Sequence, residues 1–264
     1  MHILDKIVAH KREEVEKNKK LYPIALLEES VYFKSPTVSM SQYIRREDKS
    51  GIIAEFKRRS PSKPSINLYA DVETVTLGYM QAGASALSVL TDAHFFGGSN
   101  DDLTTARTYN FCPILRKDFI IDPYQIIEAR SIGADAILLI AEILTKEEAD
   151  QLASFAHDLG LEVLMELHDS TQLEKLSDHV DLIGVNNRDL KSFTTDISFS
   201  IDLFSQLPKD KVKISESGIK NINDLRTLQE AGYEGFLIGE QFMVHADPGK
   251  ACKDLIDSIS INAL

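Results

Sequence analysis

The sequence predicts an α/β fold: a closed (β/α)8 TIM barrel with an N-terminal helical extension. Three observations carry that reading. Eight short apolar runs follow one another from residue 51 onward, separated by amphipathic stretches. Several are apolar at successive positions, the pattern of strands covered on both faces of a parallel sheet. A glycine recurs where a helix gives way to a strand, at Gly83, Gly133, Gly160 and Gly232. Glycine takes the left-handed conformation at a helix end without a Cβ penalty. Eight such units in 264 residues, with no Pro-rich or Gly/Ser linker, fit one barrel of about 250 residues better than two domains.

Residues 1–48 read as a helical prelude lying over the barrel, so that 1–264 forms one domain. Ile3, Leu4, Ile7, Val8 and Val15 share one helical face, with Lys and Glu on the others. A short second helix follows Pro23, a residue tolerated in a first helical turn. The strands are then G-I-I-A-E-F (51–56), A-L-S-V-L (86–90), P-I-L-R-K (113–117), D-A-I-L-L-I-A (135–141), E-V-L-M-E-L (162–167), D-L-I-G-V (181–185), V-K-I-S-E-S (212–217) and E-G-F-L-I-G ending at Gly239. Helix starts are marked between them. Asp122-Pro123 and Asp247-Pro248 pair an N-cap residue with proline at the first helical position. Thr145 and Glu148 have capping-box spacing. No G-x-G-x-x-G follows a strand, which argues against a dinucleotide-binding sheet.

Composition narrows the function. Lys+Arg is 29 and Asp+Glu is 41, a net charge of −12, so no nucleic-acid partner is expected, because phosphate backbones need a basic face. The longest apolar stretch, 136–141, is far shorter than the ~20 residues of a membrane span, so no membrane partner is expected either. The first residues carry charge early and show no apolar export signal. Two cysteines, Cys112 and Cys252, make no disulfide framework and fit a reducing cytoplasm. The histidines at 2, 10, 94, 157, 168, 179 and 245 lack metal-ligand spacing and read as surface or core residues. No metal or cofactor is expected.

In such a barrel the functional side chains occupy the C-terminal ends of strands and the loops that follow. Period-two alternation puts Glu55 and Lys57 on one side of strand 1. Strand 3 ends in Arg116-Lys117-Asp118-Phe119, and strand 6 runs into Asn186-Asn187-Arg188. Glu166 sits in an otherwise apolar strand, where a carboxylate must find partners or shift its pKa. Each has a plainer alternative. Lys117 could pair with Asp118 at the surface, Glu166 could form a structural ion pair, and the two asparagines could be turn residues. Convergence of lysines and glutamates on one rim favours a site. Ser217-Gly218 and Gly239, after strands 7 and 8, suit either a phosphate site or two tight turns. A carboxylate at Glu240, next to Gly239, must then point away from the phosphate, or the phosphate site lies elsewhere. The loop from Thr91 to Ser99, with Phe95 and Phe96, is either a lid over an aromatic substrate or a packed connection.

Taken together, E-F-K-R-R-S-P-S (55–62), S-V-L-T-D with F-F-G-G-S (88–99), L-R-K-D-F (115–119), N-N-R-D-L (186–190) and S-E-S-G-I (215–219) resemble the indole-3-glycerol phosphate synthase family of tryptophan biosynthesis, in its monofunctional form. The resemblance spans residues 55–240, and the helical prelude matches as well. It implies a phosphorylated, anthranilate-derived small molecule as substrate, 1-(2-carboxyphenylamino)-1-deoxyribulose 5-phosphate, closed to indole-3-glycerol phosphate with loss of carbon dioxide and water. It implies Lys117 as general acid, Glu166 and Glu55 as further acid–base or electrostatic groups, and Lys57 as a second lysine on the reacting substrate. Asn186, Arg188 and Ser60 match substrate contacts, as do the aromatic positions Phe96 and Phe119. Ser217, Gly218 and Gly239 match the phosphate side. Lys57, Arg58, Arg59, Lys63, Lys117 and Arg188 are expected to form a positive mouth on an acidic body. The rival readings are another phosphate-binding barrel, such as a sugar-phosphate isomerase or a Schiff-base aldolase, and a non-catalytic anion-binding barrel.

Overall fold

The structure, a computed structural model, describes residues 3–189 and 194–260. Leu190, the last residue of N-N-R-D-L, and His2 lie outside the described residues. Eight parallel strands close a barrel in sequence order: β1 Ile52–Phe56, β2 Ala86–Leu90, β3 Ile114–Lys117, β4 Ala136–Ile140, β5 Glu162–Leu167, β6 Leu182–Asn186, β7 Val212–Glu216 and β8 Gly235–Ile238, with β8 paired back to β1. The apolar runs are continuous because each strand meets helices on its outer face and the barrel interior on its inner face. Ile52, Ala54 and Phe56 join the outer core, while Ile53 joins Leu115, Leu164 and Ile214 inside.

The helix signals act where they were read. Asp122 and Thr145 both form capping boxes, the first completed by Gln125 and the second by Glu148. Gly133 and Gly232 end their helices with φ of 96° and 110°.

The N-terminal extension spans both ends of the barrel. Helix α1, Ile3–Leu21, crosses the C-terminal end, where Ile3, Leu4 and Ile7 line the main cavity. Helix α2, Ile24–Glu28, follows Pro23. Helix α3, Met40–Ile44, closes the opposite end, with Met40 and Ile44 buried against Leu164, Val212 and Ile214. Burying two such side chains contributes about 2 kcal/mol each. Glu162, the first residue of β5, fixes this plug by accepting the Ser39 and Ser41 hydroxyls at 2.6 Å each and the Met40 and Ser41 amides at 2.7 and 2.9 Å.

Candidate active site

Side-chain alternation builds the site. Two residues beyond Ile53, Leu115, Leu164 and Ile214, on the same four odd-numbered strands, stand Glu55, Lys117, Glu166 and Glu216. Barrel interiors stack in layers of four, each contributed by alternate strands. The layer at the C-terminal rim is therefore one lysine and three glutamates. The Lys117 Nζ lies 2.5 Å from Glu216 Oε2 and 3.2 Å from Glu166 Oε2. The Lys57 Nζ lies 2.7 Å from Glu55 Oε1. Even-numbered strands make room: a Cβ on Gly184 would come within 2.1 Å of Glu216 Oε1, and one on Gly239 within 2.5 Å of Glu55 Oε1.

The electrostatics follow from crowding. Burial disfavours a charged lysine, but Glu216, Glu166 and Glu55 outweigh it and raise the Lys117 pKa, so the ammonium keeps its proton. Burial opposes ionisation of Glu55, and Lys57 and Lys117 more than offset it, holding its pKa below the ordinary carboxylate value. Glu166 and Glu216 titrate as a pair. Burial pushes both up. Lys117 and His168 nevertheless hold Glu166 low, while the Glu166 charge adds to burial and lifts Glu216 to about 8 against the pull of Lys117. His168 stands with its Nε2 3.1 Å from Glu166 Oε1. Burial lowers its pKa, but Glu166 more than compensates and raises it.

The twelve residues expected as catalytic or substrate-contact groups line one cavity of about 250 Å³. Glu55, Lys57, Lys117 and Glu166 form its floor, joined by Glu216. Phe96 and Phe119, with ring centroids 5.8 Å apart, stand on an apolar wall with Leu138 and Ile140. Ser60, Asn186 and Arg188 stand on the rim. Ser217, Gly218 and Gly239 close the β7–β8 side. Ser217 has a φ of 65°, the one positive value among described non-glycine residues, and Gly218 follows at 77°. A left-handed serine costs about 1–2 kcal/mol. Asn187 stabilises this turn, donating to the carbonyls of Glu216 and Ser217 at 3.1 and 3.0 Å. Of the two asparagines, Asn187 is thus a turn residue and Asn186 a cavity residue.

The structure excludes one of the plainer alternatives and corrects one expectation, the positive mouth. Lys117 does not pair with Asp118, which instead meets Lys11 at 2.9 Å and Arg116 at 3.2 Å. The positive mouth is largely neutralised. Arg58 is bound by Asp102 at 2.6 Å, and Arg59 donates to the carbonyls of Ala93 and His94, so neither lines the cavity. Glu240 stands on the cavity edge, where it meets Lys63 at 2.5 Å and Arg188 at 3.4 Å. The Thr91–Ser99 loop contains a short helix, Ala93–Phe96, capped by Asp92. Sequence reasoning gave no role to Glu216, His168 or Lys11. For Glu216 the signal was its parity with Val212 and Ile214. His168 likewise shares the parity of Leu164 and Glu166.

Fold and site together define a (β/α)8-barrel protein with a buried cluster of one lysine and three carboxylates at the C-terminal ends of its strands. The chain belongs to the indole-3-glycerol phosphate synthase family, whose sequence pattern matches residues 4–255. It is 48% identical over 257 residues to the indole-3-glycerol phosphate synthase of Bacteroides thetaiotaomicron, covering 97% of this chain and 98% of that protein. It is 43% identical over 259 residues to that of Campylobacter jejuni, covering 96% of this chain and 100% of that protein. Membership places it among the enzymes of tryptophan biosynthesis. The solved tryptophan synthase subunit alpha of Legionella pneumophila is similar at TM-score 0.60 and 14% identity, over 85% of this chain and 98% of that one, a likeness of fold alone. Among the described residues no helix is long and apolar enough to cross a membrane.

Proposed function

We propose that the chain is a cytoplasmic carbon–carbon lyase that converts 1-(2-carboxyphenylamino)-1-deoxyribulose 5-phosphate to indole-3-glycerol phosphate, carbon dioxide and water. The observation that carries the reading is the rim layer, in which a protonated lysine faces two carboxylates whose proton affinities are pushed apart. The aromatic carbon bearing the carboxylate attacks the ketone of the ribulose chain, while the aniline nitrogen feeds electrons into the ring. Charge develops on the ketone oxygen, and the Lys117 ammonium stabilises and protonates it. Loss of the carboxylate as carbon dioxide then removes the positive charge from the nitrogen. Dehydration needs a proton for the departing hydroxyl and a base for the proton released. The Glu166–Glu216 pair, holding one proton between two carboxylates, supplies both kinds of group. Lys57 and Glu55 orient and neutralise the reacting chain.

The wall of Phe96, Phe119, Leu138 and Ile140 suits the aromatic ring. The turn at Ser217 and Gly218, with Gly239 opposite, suits the phosphate, and Ser60, Asn186 and Arg188 the polar chain between. A Schiff-base mechanism needs a neutral lysine, which three carboxylates around Lys117 oppose. A pure anion binder has no use for buried glutamates facing its ligand. The test is turnover of the synthetic substrate by the purified chain, followed by indole fluorescence and carbon dioxide release. Formation of indole-3-glycerol phosphate is expected. A folded chain that binds the substrate without converting it, or that is trapped on it by borohydride, would overturn the reading.

A further inference from the structure

Lys11 belongs to α1, yet its side chain is fully buried. Its Nζ lies 2.9 Å from Asp92 Oδ2, 2.9 Å from Asp118 Oδ1 and 2.8 Å from Glu14 Oε1. Both aspartates are buried too, and each fixes a wall of the cavity. Asp92 follows β2 and accepts the amides of Phe95 and Phe96 at 2.7 and 3.3 Å, capping the short helix that carries Phe96. Asp118 is the neighbour of Lys117 in the chain. It accepts the amide of Phe119 at 2.8 Å and the Thr91 hydroxyl at 2.6 Å. One ammonium group thus joins the N-terminal helix to the ends of β2 and β3.

We propose that Lys11 is a positioning residue, which through Asp118 and Asp92 holds the Lys117 backbone and the Phe96–Phe119 wall in working geometry. This inference rests on the proposed reaction and on the place of Lys117 in it. The tie acts through geometry. The Lys11 ammonium faces Asp92, Asp118 and Glu14, whereas that of Lys117 faces Glu166 and Glu216. Without Lys11, two buried carboxylates lose a shared counter-ion and repel each other. Asp118 is then drawn to its other cation, Arg116, which Glu128 already holds at 2.5 Å. Because Asp118 also accepts the Phe119 amide, its movement carries the chain at 117–119 with it. Displacement of a catalytic group by about 1 Å costs on the order of 10² in rate.

The experiment compares wild type, Lys11→Met and Lys11→Arg on the synthetic substrate, with circular dichroism and thermal melting to establish folding. Lys11→Met should lose at least about tenfold in kcat while KM changes by less than about threefold, and Lys11→Arg should recover most of the loss. A generally loosened fold would instead move KM and melting together, without rescue by arginine. Should Lys11→Met fail to fold, Lys11→Met with Asp92→Asn removes one stranded carboxylate and keeps an N-cap residue at 92. The same kcat loss is expected there. Wild-type kcat in folded Lys11→Met or in the folded Lys11→Met/Asp92→Asn variant, or failure of both to fold, overturns the positioning role while leaving the reaction standing. An inactive wild type overturns both.

Discussion

At the N-terminal end of the barrel, Glu162 accepts four hydrogen bonds from residues 39–41. At the C-terminal end, Glu216 shares a single lysine with Glu166, and its pKa is lifted to about 8. Both glutamates lie at strand ends, each two residues from the same inner hydrophobic layer, at Leu164 and Ile214. The first is surrounded by donors and serves to join two pieces of chain. The second is crowded by a like charge and holds a proton it can give up. A carboxylate's value to stability and its value to chemistry thus call for opposite surroundings.

That contrast can be broken at several points. The largest effect is expected from Lys117→Ala, which should lower kcat by about 10²–10⁴ with a smaller change in KM, since the lost interaction is strongest in the transition state. Near-normal turnover would move the acid role to Lys57. Glu216→Gln should lower kcat by a factor on the order of 10 to 10². It should also change how stability depends on pH. From about 4.5 to about 8 the folded chain keeps a proton on Glu216 that the unfolded chain releases. This group's contribution therefore falls as pH rises through that window. Melting temperatures of Glu216→Gln measured across it should decline less than those of wild type, and parallel curves would refute the pKa assignment.

At the other end, Glu162→Ala should cost about 2–4 kcal/mol in denaturant unfolding, because several charge-assisted hydrogen bonds are lost together. Its kcat should stay within about twofold of wild type, as no cavity residue is touched. A large kcat loss would show that the two ends are coupled. The smallest effect belongs to Glu240→Gln, which frees Lys63 and Arg188 from an internal anion at the cavity edge. KM should fall about twofold to fivefold, most clearly at low salt, in keeping with a pair of partly exposed ions. A raised KM would mean that Glu240 orients Arg188 rather than competing with the substrate.

The strands were legible because burial on two faces writes unbroken apolar runs, and the closed topology because those runs numbered eight. Three members of the rim layer were legible for a different reason. Glu55, Lys117 and Glu166 interrupt or end apolar runs with charge. Glu216 does the same in V-K-I-S-E, but Lys213 earlier in that strand blurs the contrast. Its parity with Val212 and Ile214, read with the rule that alternate strands fill one layer, singles out the fourth member. Lys11 was missed for the converse reason. Ile7, Lys11 and Val15 are the buried positions of α1, and a lysine in that series reads as a solvated break unless its distant partners are known. Those partners, Asp92 and Asp118, are brought to it by tertiary folding, which no local pattern encodes.

The plug at the barrel's closed end has a temporal side. Ser39 meets Glu162 across 123 residues, and Val38 meets Asp135 across 97. At about 5–20 residues per second of synthesis, on the order of 10 s separates the emergence of α3 from that of its anchor on β5. Val212 and Ile214, which cover Met40 and Ile44, emerge later still. During growth on the ribosome α3 is made long before β5 and β7, and the apolar side chains of Met40 and Ile44 wait uncovered until those strands exist. The plug thus ties closure of the barrel's N-terminal end to a late step of assembly, when β5 and β7 have both been made.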